Sequence, residues 1–194
     1  MRAHTILAGG FLAAATFFAF APDALARPVI KNPNDHPDYT AELEPHATFI
    51  FWHGRYHNYS RRGYHGFGDP EFGAGFRATI ELADPAFIPK INNTVGITFG
   101  LDLTNNACRG CFSRNYGYYI WSPVGLQWNF FITDKFSAFA DVGFMLRSLG
   151  FFDDIYPDLY GMVGGRWHFT DKVSFTFRVG VPFVNLGVSF FVGG

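Results

Sequence analysis

The amino-acid sequence predicts an all-β protein, an eight-stranded antiparallel up-and-down β-barrel that spans a membrane. Three observations carry this expectation. A hairpin is written twice along the chain, the segments around it alternate with a period of two, and the polar face of that alternation is built from small residues.

The repeat is explicit. Phe131-Ile132-Thr133-Asp134-Lys135-Phe136-Ser137 returns as His168-Phe169-Thr170-Asp171-Lys172-Val173-Ser174, and Asp141-Val142-Gly143 returns at the same offset as Arg178-Val179-Gly180. In each copy a polar Thr-Asp-Lys turn separates two aromatic-rich runs, which is a hairpin signature. After the turns, Phe136, Ala138, Ala140, Val142 and Phe144 in one copy, and Val173, Phe175, Phe177, Val179 and Val181 in the other, form an apolar face. The opposite faces carry Ser, Thr and Gly with isolated charges such as Asp141, Arg147 and Arg178. A water-facing sheet surface is normally rich in long charged side chains, yet Lys31, Lys90, Lys135 and Lys172 all fall outside the expected strands. Small polar groups suit a narrow interior, and an unbroken Phe/Val face suits lipid.

Composition agrees. At 194 residues the chain holds one compact domain plus a targeting segment, and 48% hydrophobic residues with only 16% charged argue against disorder. A net charge of −1 gives no footing for a nucleic-acid partner.

Taken in order, residues 1–26 read as a cleaved signal peptide: Arg2 and His4 precede an apolar run, and Ala24-Leu25-Ala26 forms an A-x-A cleavage site. Residues 27–45, with Pro28, Pro33, Pro37 and Pro45 among acids, read as an extended periplasmic arm, leaving residues 46–194 for the barrel. Strands are expected at 47–54, 73–82, 95–104, 118–131, 136–149, 159–169, 173–181 and 184–192. Three odd-to-even connections, residues 55–72, 105–117 and 150–158, are long, whereas the turns at Asp134 and Asp171 are tight and belong to the other rim. Long loops outside, short turns in the periplasm and both ends periplasmic fit an even-stranded outer-membrane barrel. Residues 83–93 are long for a periplasmic turn.

These features resemble the small eight-stranded bacterial outer-membrane barrels of the OmpA/OmpX kind, over roughly residues 47–192. The resemblance rests on alternation, loop asymmetry and the signal peptide, and names no particular member. It implies location in the outer membrane, contact with membrane lipid and lipopolysaccharide, and insertion by the barrel-assembly machinery. Such barrels often end on an aromatic residue, whereas here Phe190-Phe191-Val192 is followed by Gly193-Gly194.

Several groups of residues are candidates for function. Arg77, Glu81, Asp102, Asp141, Arg147, Arg166 and Arg178 should point inward, and their mixed signs predict a paired network that fills the lumen, since an unpaired buried charge costs several kcal/mol. A gated path for ions or solutes is the competing use of the same residues. Cys108 and Cys111, outside the cytoplasm, are expected to form a local disulfide, with metal binding beside His53, His57 or His65 and thiol exchange as alternatives. Arg55, Arg61, Arg62, Arg109 and Arg114, set among tyrosines, have the planar forks that suit phosphate, and so are candidate anion or lipopolysaccharide contacts, with Asp153 and Asp154 as candidate partners of divalent cations. His53, Ser60 and Asp69 could form a rim triad acting on lipid A or phospholipid, but the Gly-x-Ser-x-Gly elbow is absent. The expected protein is thus a monomeric, non-enzymatic surface protein without cofactor or metal. A lipid-modifying barrel enzyme, a small channel and a soluble lipocalin-like barrel with a greasy interior remain the alternatives.

Overall fold

A computed structural model of the protein describes residues 35–50, 71–105, 118–149 and 153–193, with the side chains of 149, 153 and 154 excepted. The expected signal peptide, the two cysteines and the loop arginines lie outside these residues, as do His53, His57, Ser60, His65 and Asp69.

Eight strands, β1 (Ala41–Ile50), β2 (Glu71–Ala83), β3 (Asn93–Asn105), β4 (Tyr118–Phe131), β5 (Phe136–Leu149), β6 (Asp153–Thr170), β7 (Val173–Val181) and β8 (Phe183–Val192), pair antiparallel with their sequence neighbours. β1 also pairs with β8, so the sheet closes on itself. Closure leaves no strand edge along the shared height of the wall, which is the condition hydrocarbon imposes on a sheet.

The sidedness follows the alternation. Val142, Phe144 and Leu159 are 66%, 68% and 66% exposed on the outer wall, and Phe99, Leu126, Phe175 and Phe190 continue the apolar band around it. Arg77, Asp102, Asp141, Arg166 and Arg178 lie fully buried inside. A lipocalin-like barrel would need the opposite arrangement, with Phe and Val gathered around the axis, and that alternative falls.

Both repeated turns use their threonine in the same way. The Thr133 hydroxyl accepts hydrogen bonds from the backbone N–H of Lys135 (3.2 Å) and Phe136 (2.9 Å), and the Thr170 hydroxyl accepts from Lys172 (3.2 Å) and Val173 (3.1 Å). Threonine folds the turn because its side-chain oxygen takes the place of a backbone acceptor.

Two strand starts differ from expectation by more than two residues. β1 begins at Ala41, inside the stretch read as an arm, because Glu42 and Glu44 alternate with Ala41 and Leu43 and face the lumen. Pro45 hid this strand. Its partners on β2 run unbroken through Phe76, while the ladder to β8 passes from Leu43↔Phe190 directly to His46↔Gly187; proline has no N–H to give, and the strand carries it by leaving that rung out. β6 begins at Asp153 rather than Leu159, since Tyr156, Pro157 and Asp158 pair with Arg147, Leu146 and Met145 of β5. The β5–β6 hairpin therefore rises past β7 and β8, which turn through Pro182 alone.

Candidate functional site: the barrel interior

The lumen is layered. At the end nearest the long connections, Ile50, Tyr119, Trp121, Met145, Tyr160, Met162 and Phe183 pack into one apolar cluster. At the other end Tyr39, Phe131 and Phe191 make a second, smaller one. Between them lie the charges.

Arg166 on β6 meets Glu42 on β1 with a two-point contact, Nε donating to Oε1 (2.7 Å) and Nη2 to Oε2 (2.5 Å), and its Nη1 donates to Asn129 (3.1 Å). Gln127 ties the same carboxylate to Asn129, donating to Glu42 Oε2 (3.2 Å) and to the Asn129 oxygen (2.8 Å). Arg178 on β7 grips Glu44 through Nε (3.1 Å) and Nη2 (2.5 Å), while its Nη1 donates to Asp141 on β5 and to Gln127 (3.2 Å). The Phe139 ring lies between the two guanidiniums, 4.1 Å from Arg166 and 4.3 Å from Arg178. Gly164 makes room for that ring: a Cβ there would collide with the tip of Phe139. Forked, charge-assisted contacts of this kind are the strong form of the hydrogen bond, and a desolvated guanidinium over an aromatic face adds attraction.

Arg77 on β2 is held more loosely. Its closest acceptors are Asp102 at 3.5 Å and Asp141 at 3.8 Å, with Met162 sulfur at 3.6 Å. Asp102 instead gathers the neighbours of β1 and β8, with His46 Nε2 at 2.7 Å, the Thr48 hydroxyl donating at 2.5 Å and the Asn185 amide at 3.3 Å.

The 37-residue repeat is visible here in three dimensions. Asn129 bonds Arg166, and Asp141 pairs with Arg178, each the equivalent of its partner in the other copy. Equivalent residues stand at one height two strands apart, and an eight-stranded lumen is narrow enough for them to touch.

Of the seven inward charges read from the sequence, Arg77, Asp102, Asp141, Arg166 and Arg178 come together. Arg147 stands apart near the upper cluster, its guanidinium over Tyr119, Trp121 and Tyr156. Glu81 stands at the other rim, half-buried among His36, Asp38 and Asp84. The carboxylates that complete the network, Glu42 and Glu44, and with them His46, were missed because they precede or flank Pro45. Their alternation with Ala41, Leu43 and Ala47 was the signal available. Trp121 was missed too; it faces inward and donates its indole N–H to Thr104 (3.0 Å), which donates in turn to Glu71 (3.3 Å).

Below the network, the segment before β1 closes the mouth. Tyr39 bonds Thr94 (3.1 Å) and packs edge-on against Phe191. Burial pushes its phenol well above the ordinary tyrosine range, so the hydroxyl keeps its proton. The His36 ring stacks on Phe131, with Nε2 3.2 Å from Asp84. Among the described residues no group of three His, Cys, Asp or Glu is arranged to hold a metal ion.

Ail of Yersinia pestis offers two structural comparisons. Its backbone structure in a phospholipid bilayer nanodisc is 12% identical, with a TM-score of 0.46 over 79% of this chain and 99% of that one. The crystal structure of the same attachment invasion locus protein is 12% identical, with a TM-score of 0.43 over 80% and 98%. No protein-family model and no curated protein matches the sequence.

Proposed function

We propose that this chain is an integral outer-membrane barrel whose lumen is sealed, and that it acts through the connections at its outer rim rather than through its interior. One observation carries the reading: a closed eight-stranded wall is apolar outside around its whole girth, and its buried charges are paired inside. No aqueous environment favours that combination, whereas lipid requires it. The sealed lumen rests on two apolar clusters bracketing a network in which each nitrogen of Arg166 and of Arg178 has an acceptor. An ion crossing it would have to displace both lids and at least one forked pair.

Among the described residues the enzyme alternative finds one Ser–His pair, Ser137 Oγ and His168 Nε2 at 2.9 Å. Ser137 is fully buried and His168 lies against Phe191, so no substrate carbonyl has a path to that hydroxyl. The loop arginines Arg55, Arg61 and Arg62, between β1 and β2 in sequence, and Arg109 and Arg114, between β3 and β4, lie outside the described residues and remain the candidates for outer-surface contact. Their planar forks suit the phosphates of lipopolysaccharide.

Three measurements test the proposal. The protein should fractionate with outer membranes and migrate faster unheated than boiled on a denaturing gel. In planar bilayers it should add no steady conductance. Lipid A mass spectra should be the same with and without the gene. Extraction into buffer without detergent would end the membrane reading, and a stable open channel would end the sealed lumen.

A further inference from the structure

The connection between β2 and β3 is the longest on its rim, and its fold differs from a slack loop. The Ala86 N–H donates to the Asn93 carbonyl (2.8 Å), and the Ile91 N–H donates to the Ile88 carbonyl (3.2 Å). The buried Asn93 amide reaches back to the carbonyls of Ile88 (2.8 Å) and Ile91 (2.8 Å). Asn93 also accepts the indole N–H of Trp128 (2.8 Å), and the Asn92 carbonyl accepts the Phe131 N–H (3.1 Å), so the whole turn is fastened to the end of β4.

This fastening has a direction. Trp128 is on the lipid side of β4, beside Phe130 at 4.7 Å, and the Phe87 ring meets it edge-on at 5.5 Å. Phe87 nevertheless stays 69% exposed and Ile88 40% exposed, although a turn in water has no reason to present both. The turn's acid points the other way, since Asp84 lies against His36 under the barrel mouth. Lys90 is exposed. The turn is therefore amphipathic: apolar where it continues the outer wall, acidic only toward the mouth, with one free-standing cation between them.

We propose that the connection Asp84 to Asn92 is a phospholipid-binding foot, with Phe87 and Ile88 seated at the acyl–headgroup boundary of the periplasmic leaflet and Lys90 against lipid phosphate. The occupant is a phospholipid rather than a protein because Phe87 packs on the lipid-facing Trp128, which packs in turn on Phe130. Aromatic rings of this kind settle at membrane interfaces, and a lysine stem lets the ammonium reach the headgroups. The foot rests on the membrane reading above and fixes the height of the barrel at its inner interface.

The test uses the full chain in phospholipid nanodiscs. A lipid carrying a nitroxide near the top of its acyl chain should broaden the Ile88 methyl and Phe87 ring resonances at least as strongly as the mid-wall Val142 methyls, which report the wall itself. A water-soluble gadolinium chelate should leave all of them sharp, and lipid phosphorus should dephase the Lys90 ammonium nitrogen. If Val142 responds to the nitroxide while Phe87 and Ile88 respond to gadolinium, the foot is wrong and the membrane barrel stands. If Phe87 and Ile88 respond to neither agent, another protein surface covers them and the foot is equally wrong. A Lys90 nitrogen blind to phosphorus overturns the headgroup contact. Loss of the nitroxide effect at Val142 itself overturns the barrel's placement, and the foot with it. The Phe87→Ser, Ile88→Ser double variant should keep its heat-modifiable migration, which separates the pair's place at the interface from folding of the barrel.

Discussion

Two arginines with the same burial do different amounts of work in this lumen. Arg178 holds Glu44 with a forked contact and Asp141 with a single one, and replacing it by methionine strands both carboxylates in a buried interior. The expected loss for Arg178→Met is about 3–5 kcal/mol, read from urea unfolding in micelles. Arg77 stands 3.5 Å from its nearest carboxylate, and Asp102 already has His46, Thr48 and Asn185. Arg77→Met should therefore cost less, about 1–3 kcal/mol, and equal losses would mean that the looser geometry is not what it seems. The pair Arg166 and Glu42 allows a sharper test. Glu42→Leu alone leaves a buried guanidinium and Arg166→Met alone leaves a buried carboxylate, but the double variant leaves Gln127 and Asn129 free to satisfy each other at 2.8 Å. Most of the single-variant loss should return in the double, since replacing both members of a buried ion pair by apolar groups is often close to neutral.

At the scale of elements, the hairpin and its turn are the unit that the chain repeats. Each Thr-Asp-Lys turn hangs two backbone N–H groups on one threonine hydroxyl at an exposed rim. Thr133→Val and Thr170→Val should each lower stability by about 1 kcal/mol, with near-equal effects because the two geometries match. The seam between β1 and β8 is the other informative element. Its missing rung at Pro45 is offset from inside, because Glu42 and Glu44 anchor β1 across the lumen to β6 and β7. Amide exchange should accordingly reach Val188 and its neighbours on β8 before it reaches Leu126 or Val142 in the unbroken β4–β5 ladder. Glu44→Gln should accelerate that exchange further.

For the molecule as a whole, the wall and the lumen make opposite demands on the same strand. Val142 and Asp141 are neighbours in sequence, one 66% exposed and the other buried against Arg178. An arginine placed outward by Val142→Arg faces mid-wall hydrocarbon and should cost about 2–4 kcal/mol, whereas Lys135→Arg at the rim should cost almost nothing. Equal effects at the two positions in lipid would contradict a membrane-embedded wall.

The sequence by itself determined the class, the number of strands, their sidedness and four of their spans closely, because an inside–outside alternation is a local property that each pair of residues displays. It also singled out five charges that meet inside. What it left open was long-range. Glu42 and Glu44 lie 124 and 134 positions from Arg166 and Arg178, and only closure of the sheet sets β1 beside β8 and across from β6 and β7. The room for Phe139 depends on Gly164 of the neighbouring strand, and the inward Trp121 finds its acceptor in Thr104 of β3, 17 positions earlier. Register and ring closure decide such meetings, and neither leaves a trace in any short window of residues.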